Sequence, residues 1–101
     1  MKTSQEVYMD FRAAKDVVNE LRQIAREVRR TSSTDLRLAL SRVRSNWRGN
    51  NADAFLDKGT KLQKNIEETA NYLDSLANDI QQIADNTYRA EMEAIKKAQE
   101  R

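Results

Sequence analysis

The chain has 101 residues, 39% hydrophobic and 34% charged, with 18 Lys and Arg against 16 Asp and Glu for a net charge of +2. It contains no His, Cys or Pro, and only two Gly. That length fits one domain at most, and the missing His and Cys exclude the usual neutral-pH general base, the thiol nucleophile, a disulfide framework and most structural zinc sites.

Other catalytic devices are missing too. Gly49 and Gly59 are too far apart to form a phosphate-cradling loop. The carboxylates Glu67 and Glu68, or Glu91 and Glu93, do not share a helix face. We therefore expect no enzyme, no cofactor and no metal site. No apolar run approaches the ~20 residues that span a bilayer, and Met1–Val7 lacks the apolar stretch of a cleavable signal peptide. Many charges with few breakers point to long solvated helices.

The first predicted helix begins near Ser4, whose hydroxyl can cap the first turn, with Glu6 favoured by the helix dipole. Its apolar positions are Val7, Phe11, Ala14, Val18, Leu21, Ala25 and Val28. Alternate steps of four and three make a stripe of the kind that packs against another helix. Thr31-Ser32-Ser33-Thr34-Asp35 then interrupts it with residues that compete for backbone hydrogen bonds. Either the helix continues through this segment, which we expect, or it kinks, or Ser33 or Thr34 caps a restart. The stripe resumes at Leu36, Leu40, Val43 and Trp47, and Ser32 bridges the gap as a polar centre.

Trp47-Arg48-Gly49 ends the helix. Gly49 suits the left-handed conformation that follows a helix C-terminus. Asn50 or Asn51 can cap the next helix, with Asp53 in its first turn. So short a connection forces antiparallel neighbours. The second helix carries Ala52, Phe55, Gly59, Leu62, Ile66, Ala70, Leu73, Ala77, Ile80, Ala84 and Tyr88, widened by Leu76 and Ile83. Gly59 costs about 1 kcal/mol against Ala inside a helix, so close approach of another backbone is its expected compensation. Glu91–Arg101 reads as a frayed or exposed helical tail.

These elements predict an all-α fold, an antiparallel two-helix hairpin in a single domain over residues 1–101. Helix 1 covers about 4–47, the turn 48–51, helix 2 about 52–96, and a tail runs to 101. Two helices alone leave most of their girth in water, so the hairpin should pair, as a homodimer or with a related hairpin, into a four-helix bundle. Phe11, Val18, Leu21, Val28, Leu36, Leu40, Val43, Leu62, Ile66, Leu73 and Ile80 form the hairpin and dimer stripe.

Charge divides between the arms. Residues 1–50 hold eleven Lys and Arg and six Asp and Glu, whereas residues 51–101 hold seven and ten. Either the arms attract each other, or Arg26, Arg29, Arg30, Arg37, Arg42, Arg44 and Arg48 make a basic partner-binding face.

A chain of about this length with Trp47-Arg48-Gly49 at its midpoint, followed by the small polar run Asn50–Ala54 and Phe55, resembles the WXG family of ESAT-like proteins exported by type VII (ESX-like) secretion systems. The resemblance implies a helical hairpin that pairs into a four-helix bundle. It also implies export from the cytoplasm without a cleaved signal peptide. The partners it implies are a copy or related hairpin, a secretion ATPase, or a toxin's helical N-terminal segment. It further implies an export signal after helix 2, a Tyr followed at the fourth position by an acid. Tyr88 departs from that spacing, since Glu91 stands at the third position and Met92 at the fourth. Tyr88 can equally be the last core residue of the stripe. Trp47 either pins the hairpin by packing or helps form a surface read by the export machinery.

The competing reading is an intracellular adaptor that binds an acidic partner through the Arg-rich part of helix 1. The near-neutral total and acidic second arm speak against nucleic acid.

Overall fold

A computed structural model describes residues 1–100. Three α-helices and one π-helical segment make up the described chain: α1 (Ser4–Arg30), the π segment Thr31–Leu36, α2 (Arg37–Asn46) and α3 (Asn50–Gln99). The architecture is all-α, with α1 and α2 running antiparallel to α3.

The cap of α1 is Thr3 rather than Ser4. The Glu6 N–H donates to Thr3 Oγ1 at 3.1 Å, and the Thr3 hydroxyl donates to the Glu6 carboxylate at 3.2 Å. The first helical bond runs from Val7 N–H to the Thr3 carbonyl. Thr3 and Glu6 thus form a reciprocal capping pair, and Ser4 is the first helical residue.

The segment at 31–36 is helical throughout, but its turns are wider. Arg30 and Arg37 on either side keep helical dihedrals, φ −62° and ψ −42°, and φ −60° and ψ −42°. The reason is countable in the sequence. From Val28 to Ser32 to Leu36 to Leu40 the inward positions are spaced by three consecutive steps of four. A π turn closes its hydrogen bonds over five residues instead of four and so absorbs one extra residue. The stripe stays on one face because the helix locally widens.

Contacts divide the chain into two units, Met1–Arg22 with Asp74–Arg101, and Gln23–Leu73. In the first, Val7, Val18 and Ala77 are buried, with Phe11, Leu21, Ile80 and Tyr88 half-buried around them. Descending pairs mark the antiparallel order: Phe11 meets Tyr88, and Arg22 donates to Asn78 Oδ1 at 3.2 Å. In the second unit, Ala25, Ser32, Leu40, Ala52 and Ala70 are buried. There Arg29 donates to Asn71 Oδ1 at 2.8 Å, Ser32 to the Gln63 carbonyl at 3.1 Å, and Trp47 lies by Phe55.

Gly59 is explained by a side chain, not by a second backbone. A Cβ there would collide with Leu40 Cδ2. Leu40 fills the space that Gly59 leaves and is itself only 5% exposed.

Candidate interaction surface

The turn is shorter than the sequence suggests. Helix α2 ends at Asn46, Trp47 is extended (φ −131°, ψ 130°), and α3 starts at Asn50. Trp47 N–H still donates to the Val43 carbonyl at 2.9 Å, closing the last turn of α2. Gly49 takes φ +112°, which L side chains rarely adopt. The Asp53 N–H donates to the Gly49 carbonyl at 3.1 Å, so Gly49 caps α3 and Asn50 and Asn51 lie within its first turn. Asp53 keeps a position favoured by the dipole.

Trp47 is not packed in the core. It is 45% exposed, Phe55 is 50% exposed, and their ring centroids lie 5.9 Å apart with the planes tilted by 54°. The two rings form an aromatic couple on the surface beside the turn.

The stripe residues separate into two rows. Val18 and Leu40 are buried, and Phe11, Leu21, Val28, Leu36, Val43, Ile66, Leu73 and Ile80 are half-buried. Leu62 is 51% exposed, and its place toward the other arm is taken by Gln63. Phe55 is likewise outside while Leu56 turns inward.

Each unit also presents exposed apolar residues. Arg22 and Arg29 lie on one side of the buried row Val18–Ala25, and their partners Asn78 and Asn71 lie on the matching side of α3. The helical repeat of 3.6 residues puts Val17 and Ile24 on the opposite side of α1, and Leu62 and Ile83 on the opposite side of α3. Each unit therefore has one flank tied by Arg–Asn hydrogen bonds and another that is apolar. In the first unit Val17 and Ile83 are exposed, with Leu21 and Leu76 half-buried between them. In the second, Ile24 is exposed one turn from half-buried Val28, and Phe55 and Leu62 are exposed farther along α3 toward the turn. Val17 and Ile24 carry a seven-residue spacing that sequence reasoning could have found, since the same spacing links Leu76 to Ile83.

The first unit's apolar side also holds a groove of about 220 Å³, walled by Val7, Phe11, Ile80, Ile83, Ala84 and Tyr88. Tyr88 is half-buried, with its ring 4.9 Å from Phe11 and tilted by 44°. Glu91, one turn on, lies 3.7 Å from Lys2 Nζ, which also pairs with Asp10 at 2.9 Å. The hydrogen bond to Asp10, then the charges of Asp10 and Glu91, raise the Lys2 ammonium above the ordinary 10.5. Tyr88 and Glu91 are thus brought together, but inside the helical pairing and not in a separate tail. The helix continues to Gln99, past the expected 96, and Arg101 of the expected tail lies outside the described residues.

Of the arginines proposed as a basic face, Arg26, Arg30, Arg37, Arg42, Arg44 and Arg48 are exposed, whereas Arg29 is half-buried against Asn71. Among the described residues no helix is long and apolar enough to cross a membrane, and no group of three acidic side chains is placed to hold a metal.

A family model described as "Proteins of 100 residues with WXG" matches residues 9–92. Comparison with the curated proteins gives no match, and comparison with the solved structures gives none.

Proposed function

The chain belongs to the WXG100 family, and from that premise we propose that it is a non-catalytic substrate or co-substrate of a type VII secretion system, acting through helix–helix pairing. The observation that carries the proposal is the apolar flank of each unit, with Val17 and Ile83 in the first and Ile24 and Leu62 in the second. Val17, Ile24, Leu62 and Ile83 stand 46%, 45%, 51% and 64% exposed. All four lie on the flank of their unit away from the Arg–Asn ties. Exposed apolar residues along a helix pair are what a second pair of helices covers. A second copy brings identical flanks, so pairing in a four-helix bundle buries both sets at once.

The remaining features serve the same reading. Trp47 and Phe55 offer an exposed aromatic couple for a secretion ATPase or for the helical N-terminal segment of a larger effector. Tyr88 and Glu91 lie at the other end of α3, in the region where the family carries its export signal. Export without a cleaved leader is the route that family membership supports. The adaptor reading can draw on the exposed Arg26, Arg30, Arg37, Arg42, Arg44 and Arg48, but family membership supports helix pairing instead.

The test is export. In a host carrying the cognate system, the protein should accumulate in the culture medium, and deletion of the secretion ATPase should abolish that. Ile83→Asp and Trp47→Ala should each reduce it while the protein persists in the cell. Undiminished export without the ATPase would overturn the proposal.

A further inference from the structure

The second unit contains a polar device that neither a secretion substrate nor a dimer requires. Ser32 is the one polar residue buried among the described residues, at 0% exposure. Its hydroxyl donates to the Gln63 backbone carbonyl at 3.1 Å and reaches the Glu67 carboxylate at 3.5 Å. In return, Gln63 Nε2 donates to the Ser32 carbonyl at 3.2 Å. The clasp is reciprocal, and both of its backbone acceptors lie inside helices. It also sits within the π segment Thr31–Leu36. A widened turn persists where a group from outside enters the helical hydrogen-bond ladder, and the Gln63 amide is such a group.

The consequence lies downstream. One residue turns an α-helix by about 100°. If the extra residue were absorbed nowhere, Leu40 and Val43 would rotate off α3. Leu40 would leave the hollow over Gly59, and Trp47 would leave Phe55. We infer that Ser32 and Gln63 are positioning residues: they hold one extra residue in the π segment and so set the rotational phase at which α2 delivers Trp47 to Phe55. This does not depend on what the surface binds.

Trp47 is the only Trp, so its fluorescence reports the phase directly. Deletion of Thr34, an exposed residue of the segment, removes the extra residue, so a plain α-helix through the segment keeps Leu40 and Trp47 in phase. The deletion variant should stay helical by circular dichroism, with Trp47 emission and acrylamide quenching as in wild type. Insertion of one Ala between Arg37 and Leu38 in the otherwise unchanged chain adds a residue that the clasp does not hold, and should shift Trp47 emission to the red, raise quenching and lower Tm. If the insertion variant fails to fold, retained emission and quenching in the deletion variant still support the inference.

A deletion variant with red-shifted emission and raised quenching would show that the wide turn does not absorb the extra residue. An insertion variant with unchanged emission, quenching and Tm would show that the phase set at the segment does not reach Trp47. Either result overturns the inference. Gln63→Met supplies a test without any change of count. It removes the donor to the Ser32 carbonyl at similar volume, and amide exchange should quicken across 31–37 while the first turns of α1 are unaffected. Unchanged exchange at 31–37 would overturn the role of Gln63.

Discussion

The rings of Trp47 and Phe55 face each other across the turn at a centroid distance of 5.9 Å, and about half of each remains in solvent. The turn is therefore closed at the surface by an aromatic pair and not by insertion of the indole into a core. Such pairs contribute about 0.5–1.5 kcal/mol when well packed, and this exposed one belongs at the lower end. Phe55→Ala should cost less than about 1 kcal/mol, keep the helical content, and shift Trp47 emission to the red. Emission equal to wild type would show that the rings do not shield each other.

Gly59 and Leu40 make a second coupled pair. Gly59→Ala should gain roughly 1 kcal/mol of helix propensity. It should lose more by driving a methyl into Leu40, since overpacking costs about 1–3 kcal/mol. A lower denaturation midpoint is the expected net result. Leu40→Ala on its own should also destabilise. In the double variant the added methyl has room, so its effect should be less than the sum of the two. Strict additivity in a double-mutant cycle would contradict the contact.

Gly49 is a cleaner backbone test, because a Cβ there meets nothing within 4 Å. Gly49→Ala should destabilise by about 1–3 kcal/mol through its positive φ alone. A synthetic chain with D-alanine at 49 should recover the loss. Equal stability of the L and D forms would contradict the conformation.

Lys2, just before α1, pairs with Asp10 of α1 and Glu91 of α3. Its pKa is raised in the folded chain, so its contribution is fully present below the unfolded value of 10.5 and is lost as pH climbs through the folded one. The pair is exposed, so salt should screen it. The stability difference between wild type and Lys2→Gln should shrink above about pH 10.5 and at high ionic strength. A difference that persists under both conditions would mean that Lys2 acts through packing.

Much of this was legible in the chain. Val7 to Val28 repeats by fours and threes, and Gly49 marks the break. Those facts suffice for an antiparallel helical pair. The choice between neighbouring rows was not legible. Phe55 and Leu62 fit the period as well as Leu56 and Gln63, because apolar residues occupy both a buried face and an exposed flank. Only the partner across the hairpin selects Gln63, through a carbonyl that the π turn presents at Ser32. Thr3 and Ser4 are adjacent hydroxyls, and which one caps is decided by the reach of Glu6. The three steps of four were visible at Val28, Ser32, Leu36 and Leu40. Their meaning required knowing that the helix stays unbroken.

The central claim is that the apolar flanks of the two units, carrying Val17 and Ile83 in the first and Ile24 and Leu62 in the second, pair with a second copy. Light scattering of the purified chain at micromolar concentration tests it most directly, with Ile83→Asp as the matched control. The expected result is a helical particle of twice the chain mass for wild type and a shift toward the single-chain mass for the variant. A folded, monodisperse monomer for wild type would contradict the claim.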